Sequence, residues 1–194
     1  MFKNPDIYSS YNFSEMGKVL YDAVLESKPK IIVDFGLLYG YSTVCLGMAA
    51  KIIGSKVYAY DIFDDYKFNK SSREIVQQNI IKHDLEDVVV VEKRDFNVWV
   101  KHPDPFDLLH VDISNTGEIV ELLYDNLKNK KNFFSRVFFE GGSPERDQMD
   151  WMLNYNKKPF SAIREDIKYF VLKSDNYVDS RGRTISPSIS ELFF

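Results

Sequence analysis

A series of acids in this chain follows short apolar runs, and that placement is where chemistry can be done. Asp34 ends the run IIVD and is followed by Gly36, Tyr39, Gly40 and Ser42. The two glycines let the backbone turn sharply and a ligand approach closely, and the N–H groups of the helix that follows add positive potential. An acid just before the first glycine sits badly beside phosphates and well beside a cation. The Gly-x-Gly-x-x-Gly turn that admits a pyrophosphate is absent from this loop. Asp61 closes KVYAYD roughly 20 residues after Gly40, the interval at which an acid can accept hydrogen bonds from ribose hydroxyls. Its plainer reading is a loop acid followed by Asp64 and Asp65. Asp95 follows DVVVVEK and can cap a short helix holding Val98, Trp99 and Val100. Asp112 ends PFDLLHVD, and Glu140 ends SRVFFE ahead of Gly141 and Gly142. Asp112, Glu140 and His110 are candidate bases. His110 lies within a strand, so a hydrogen-bonded core histidine is its plainer role.

Positioning these groups requires strands that end at the acids. Residues 31–35 form an apolar run without alternation, as in a parallel strand covered on both faces. Gly40 to Gly54 then reads as a helix, 56–61 as a second strand, and 71–82 as a helix opened by a Ser71 and Glu74 capping box. Residues 87–93 and 105–112 are the third and fourth strands. A helix over 116–129 leads to the fifth strand at 135–140, and Ser143 with Pro144 opens a helix holding Met149, Trp151 and Met152. Ahead of all this stand an arm of ten residues and a helix from Ser14 to Lys28. Residues 160–165 and 168–173 read as two adjacent antiparallel strands. The tail, 175–194, shows no strong period and is left unassigned.

A length of 194 residues predicts one domain, 1–194, with a leading segment 1–28, a core 29–174 and the tail. A hydrophobic share of 44% and a charged share of 28% are those of a globular protein in water, and the start of the chain lacks the order of a signal peptide. A cytoplasmic location is expected. The net charge of −4 argues against a nucleic-acid binder, and the lysines at 128–131 read as a solvated helix end. The single cysteine, Cys45, reads as a packed core thiol. Aromatic residues make up 15% of the chain, enough that some can line a pocket.

The stretch IIVDFGLLYGYST resembles the first motif of the class I S-adenosylmethionine (SAM) dependent methyltransferases, an acid-x-Gly-x-x-x-Gly pattern. Its Gly40-Tyr41-Ser42-Thr43 run is similar to that of the small-molecule O-methyltransferases in the group. The resemblance spans about 29–174 and implies an α/β fold: a three-layer, doubly wound, mostly parallel sheet of seven strands with a C-terminal antiparallel hairpin. It implies that Asp34, Gly36, Tyr39, Gly40 and Ser42 cradle the methionine part of SAM. Asp61 would take the ribose, Asp95 the adenine amino group with Phe96 packed on the ring, and Asp112 the edge nearest the reaction. Tyr39, Tyr41 and the N-terminal segment would wall the acceptor pocket. Catechol-type relatives hold a divalent cation with an acid after the fourth strand and an Asp-Asn pair after the fifth. Asp112 and Glu140 match the first two positions, and Gly141 stands where the asparagine would be, so a Mg²⁺ ion would rest on two carboxylates and water. The expected function is methyl transfer from SAM to a small molecule at a hydroxyl. The expected partners are that substrate and a second copy of the chain as a homodimer, with no nucleic acid and no membrane. A nucleic-acid methyltransferase is disfavoured, because Asp112 is followed by Ile113, Ser114 and Asn115 rather than an Asn-Pro-Pro-Tyr-like run. The alternatives are an NAD(P)-dependent or other nucleotide-using α/β enzyme and a non-catalytic SAM-fold binding protein.

Overall fold

The computed structural model describes residues 1–63, 71–114, 116–129, 136–179, 182 and 184–194, apart from the side chain of Trp151. Asp64, Asp65, Asn115, Lys130, Lys131 and Ser135, named above, lie outside them.

The apolar runs become strands β1 (Ile31–Phe35), β2 (Lys56–Asp61), β3 (Val89–Lys93), β4 (Leu108–Val111) and β5 (Arg136–Glu140). All five are mutually parallel, in the spatial order β3-β2-β1-β4-β5. The order reverses between β1 and β4, and the crevice beyond such a switch point is where open α/β sheets take ligands. Helices α1 (Met16–Ser27), α2 (Tyr41–Ile53), α3 (Arg73–Lys82), α4 (Phe96–Trp99) and α5 (Gly117–Leu127) alternate with them, and α6 (Pro144–Asp147) and α7 (Asp150–Asn154) follow β5.

The C-terminal end departs from the expected hairpin. Residues 160–165 do not form a strand; Phe160–Ala162 is a 3₁₀ turn. The buried Asp147 carboxylate pins it, accepting from the N–H groups of Phe160 at 2.8 Å and Ser161 at 3.1 Å. The antiparallel pair is made instead by β6 (Lys168–Lys173) and β9 (Ser188–Phe193), with β9 inserted between β5 and β6 to complete a seven-stranded sheet. The tail thus supplies an interior strand. Its other two strands, β7 (Tyr177–Val178) and β8 (Thr184–Ile185), pair apart from the main sheet.

Each helix begins and ends where local chemistry allows. Gly40 (φ 86°) and Gly54 (φ 76°) bracket α2 in the left-handed conformation that glycine tolerates. The cap of α3 is Ser72 rather than the expected Ser71: its hydroxyl accepts from the Ile75 N–H. Ser71 instead donates to the Leu38 carbonyl at 2.8 Å, tying α3 to the loop after β1. Ser14 stands two residues before α1, its hydroxyl accepting from the Met16 N–H at 3.3 Å.

Side-chain alternation divides the core in two. Ile32, Leu108 and Phe138 pack with α1 and α2, whereas Val33, Leu109 and Phe139 pack with α4 and α5 on the other face. Asp34, His110 and Glu140 share the parity of the first set, so they emerge on the face covered by α1, α2 and the N-terminal segment.

Candidate active site

The loop between β1 and α2 is built for close approach. Gly36 (φ 87°), Leu38 (φ 48°) and Gly40 all have positive φ. A Cβ on Gly36 would stand 2.1 Å from the Asp112 carbonyl oxygen, so glycine alone lets the ends of β1 and β4 meet. At Gly40 an added Cβ would press on Val76 of α3 at 3.3 Å. The first N–H groups of α2 have no partner inside their helix and point toward the crevice.

Asp34 is fully buried and committed to the scaffold. One oxygen accepts from the hydroxyls of Ser42 at 3.0 Å and Thr43 at 2.7 Å, and the other lies 2.7 Å from Nδ1 of His110. Asp34 and Ser42 therefore shape the loop through each other. His110 is likewise without exposure. Its ring braces Asp34 from the neighbouring strand, where the two residues are in register.

Asp61 stands at the end of β2, half-buried, where the ribose reading puts it. Its oxygens accept from the Leu37 N–H at 2.7 Å and the Phe63 N–H at 2.6 Å. Each carboxylate oxygen has two lone pairs, so both retain capacity for a ligand hydroxyl. Asp95 is exposed and caps α4 through the Asn97 N–H at 2.8 Å. Phe96 is buried edge-on against Phe35, with ring centroids 5.2 Å apart. Tyr39 is half-buried, its ring against Tyr8 at 6.1 Å and its carbonyl accepting from the Asn79 side chain.

Across the switch point, Asp112 and Glu140 come together as the sequence predicts. Burial and the adjacent Glu140 carboxylate push the Asp112 carboxyl well above its ordinary range. Glu140 is buried and its Oε1 accepts from Nη2 of Arg146, itself buried in α6. Burial works against the Arg146 charge, but Glu140, Tyr11 and Asp112 outweigh it and hold its pKa up. This arrangement does not fit the Mg²⁺ expected at Asp112 and Glu140, because a guanidinium already holds the Glu140 oxygen where an ion would need it. Among the described residues, no group of three or more His, Cys, Asp or Glu side chains could hold a metal.

Two residues of this neighbourhood escaped the sequence reading. Tyr11, on the N-terminal segment, is 1% exposed, and its hydroxyl has no hydrogen-bond partner among the described residues. Burial, then the charges of Glu140 and Asp112, drive its pKa far up, so the phenol stays a donor. Arg146 is the second. No local signal marks either one, since Tyr11 meets groups about a hundred residues away and Arg146 reads as an ordinary first-turn residue after the Ser143 cap. The segment carrying Tyr11 is held by Tyr41, whose hydroxyl donates to the Asn4 side chain at 2.6 Å, and by Tyr177, whose hydroxyl donates to the Ser10 carbonyl at 2.9 Å. Tyr41 and the N-terminal segment thus pack against each other on the face that carries Asp34, His110 and Glu140.

A comparison with protein families matches residues 33–135, more than half of the chain, to the family described as "Methyltransferase domain". The chain belongs to this methyltransferase family. A search of curated proteins gives no match. Among solved structures, the chain is similar to the O-methyltransferase TomG of Streptomyces achromogenes, involved in tomaymycin synthesis and solved with SAM (15% identity, 97% of this chain and 82% of that one, TM-score 0.62). It is similar to the Bacillus cereus O-methyltransferase solved with S-adenosylhomocysteine (SAH; 18%, 98% and 84%, 0.61). It is also similar to the SAH-bound methyltransferase PaMTH1 of Podospora anserina (14%, 92% and 77%, 0.61). At these identities the likeness establishes the fold, which is that of the class I SAM-dependent methyltransferases. The nicotinamide alternative is not favoured by any of these matches. No helix among the described residues is long and apolar enough to cross a membrane.

Proposed function

We propose that this methyltransferase uses SAM and moves the methyl group to a hydroxyl oxygen of a small molecule, with Asp112 as general base. The observation that carries this reading is the position and character of Asp112. Its backbone lies against Gly36 of the cofactor loop, and burial beside Glu140 raises its carboxyl above the ordinary carboxylate range, the direction that makes a carboxylate a better base.

The residues present suit the cofactor. The Gly36 to Gly40 turn and the start of α2 would hold the methionine part, Asp61 the ribose and Asp95 the adenine edge. Bound there, SAM supplies a methyl group on a positively charged sulfur. Asp112 takes the proton from the acceptor hydroxyl, and the oxygen lone pair forms the new O–C bond. The C–S bonding pair leaves with sulfur, giving a neutral thioether. Aligning acceptor and methyl group can supply on the order of 7 kcal/mol of the barrier, so the chain needs little beyond position and one base.

Calorimetric titration with SAM, SAH and NADH tests the cofactor. Micromolar SAM and SAH binding without NADH binding supports the proposal, and Asp61→Asn should weaken it roughly tenfold, one hydrogen bond to a charged group. Conversion of SAM to SAH with a panel of phenols and alcohols then tests catalysis. SAM binding without turnover across that panel would favour the non-catalytic reading.

A further inference from the structure

The crossover from β3 to β4 is short, and its helix, α4, has four residues. Phe96 and Trp99 of α4 cover Phe35 at the carboxyl end of β1, with ring centroids 5.2 and 4.8 Å from its own. Nearer the start of the strands the same face of the sheet holds a cavity of about 250 Å³. Its floor is Ile31, Val33, Tyr58 and Tyr60, and Val33 and Tyr58 are in register on neighbouring strands. Its rim carries Glu92, in register with Tyr60, together with Arg94 and Asp104. The candidate active site lies elsewhere, since Asp34, His110 and Glu140 emerge on the opposite face of the sheet. The Arg94 guanidinium lies over the Tyr60 ring, 4.7 Å from its centroid. Two carboxylates hold it there: Nε donates to Glu92 at 3.1 Å and Nη1 to Asp104. A tyrosine face beside carboxylates is a cation site, because the ring quadrupole and the acids attract the same charge. Tyr58, half-buried in the floor, offers a second ring over which no cation lies among the described residues.

We propose that this cavity is a second binding site, separate from the methyl-transfer centre, for a small organic cation of the alkylammonium type seated on the Tyr58 ring. Glu92 and Asp104 each spend one oxygen on Arg94 and keep the other for the ligand. Burial pushes the Tyr60 phenol up to about 12, so it stays neutral, and the rim sets two carboxylates against one guanidinium. A single positive charge on the ligand brings the cavity to neutrality, whereas an anion would add to its excess. The floor selects among cations. A metal ion gains nothing from Ile31, Val33 and two rings, whereas the methyl groups of an alkylammonium carry little hydration and bury against them. Arg94 is then an internal competitor: its guanidinium holds one of the two ring faces and repels the ligand by like charge.

The test titrates choline into the full chain and follows backbone amide shifts by NMR, with the neutral analogue that has carbon in place of nitrogen as control. Expected are saturable shifts at Tyr58, Tyr60, Glu92 and Arg94 with choline, and no binding of comparable affinity by the analogue. Tyr58→Leu keeps an apolar floor and should weaken binding roughly fivefold, the loss of one ring face. Glu92→Gln, on the rim, should weaken it as well without disturbing the core. Arg94→Met should act in the opposite sense and tighten binding, because it vacates the Tyr60 ring and leaves both carboxylates to the ligand. Thermal melts establish that each variant is folded. Any of four results overturns the proposal: no saturable shift in wild type, equal binding of the neutral analogue, undiminished binding in either Tyr58→Leu or Glu92→Gln, or weaker binding in Arg94→Met, which would make the guanidinium the ligand's partner. Shifts confined to the Gly36 to Gly40 loop would put choline in the cofactor crevice and overturn it too.

Discussion

Asp34 Oδ1 lies 2.7 Å from Nδ1 of His110, and the two face each other in register across β1 and β4 with no exposure to solvent. With the Ser42 and Thr43 hydroxyls on its other oxygen, the carboxylate ties β1, β4 and the first turn of α2 into one unit. Replacing Asp34 by Asn keeps one acceptor oxygen and puts an amide donor where either the two hydroxyls or His110 Nδ1 now meets a carboxylate oxygen. Denaturant titration of Asp34→Asn should show a loss of about 2–3 kcal/mol, the cost of charge-assisted hydrogen bonds left unmade. Thr43→Val removes one of them and should cost about 1 kcal/mol.

Gly36 and Gly54 separate two effects that a glycine can have. Both have positive φ, but an added Cβ meets the Asp112 carbonyl at 2.1 Å in the first case and nothing within 4 Å in the second. Gly54→Ala should lower stability by only about 1–2 kcal/mol, the left-handed backbone penalty, and leave SAH affinity unchanged. Gly36→Ala should add displacement of the Asp112 backbone and lower SAH affinity by at least tenfold. Thermal melts and calorimetry on the pair check both statements.

The strand β9 is where the sequence was least legible. Its run SISELF places Ser188 and Ser190 in full burial, so alternation shows no apolar face to a reader of the chain. The serine is demanded by its neighbour: its hydroxyl donates to the Gly141 carbonyl at 2.8 Å, and a Cβ on Gly142 would strike it. Arg136 of β5 then holds Glu191 with two nitrogens, at 2.6 and 2.9 Å. By contrast, β1, β2, β4 and β5 were legible because each is a mostly buried parallel strand whose apolar run carries a charged or ionisable residue at or near its end, and β3, at the sheet edge, keeps the apolar run 89–91. The acids at their ends were legible for the same reason. Tyr11 and Arg146 were not, since their significance lies only in meeting each other's neighbourhood across the fold. An interior strand supplied by the tail makes its packing costly to lose: Ile189→Ala, at a fully buried position, should destabilise by about 2–5 kcal/mol in denaturant titration.

Asp112 links activity and stability through one carboxyl. Burial and Glu140 raise its folded pKa above the value of an unfolded chain. Below the ordinary carboxylate range the group is protonated in both states and costs nothing. As pH rises through the raised folded pKa, the folded protein must carry a charge that it disfavours, and stability is lost. Asp112→Asn removes that penalty, so its melting temperature should exceed that of wild type at neutral pH, with the difference vanishing in acid. The same substitution removes the base. Methyl transfer should fall roughly 10²- to 10⁴-fold, and the rise of wild-type kcat with pH, set by ionisation of this carboxyl, should disappear. A variant that is both more stable and nearly inactive would identify Asp112 as a group held against its own preference for the sake of the reaction. One that is inactive but less stable would place it in the scaffold with Asp34.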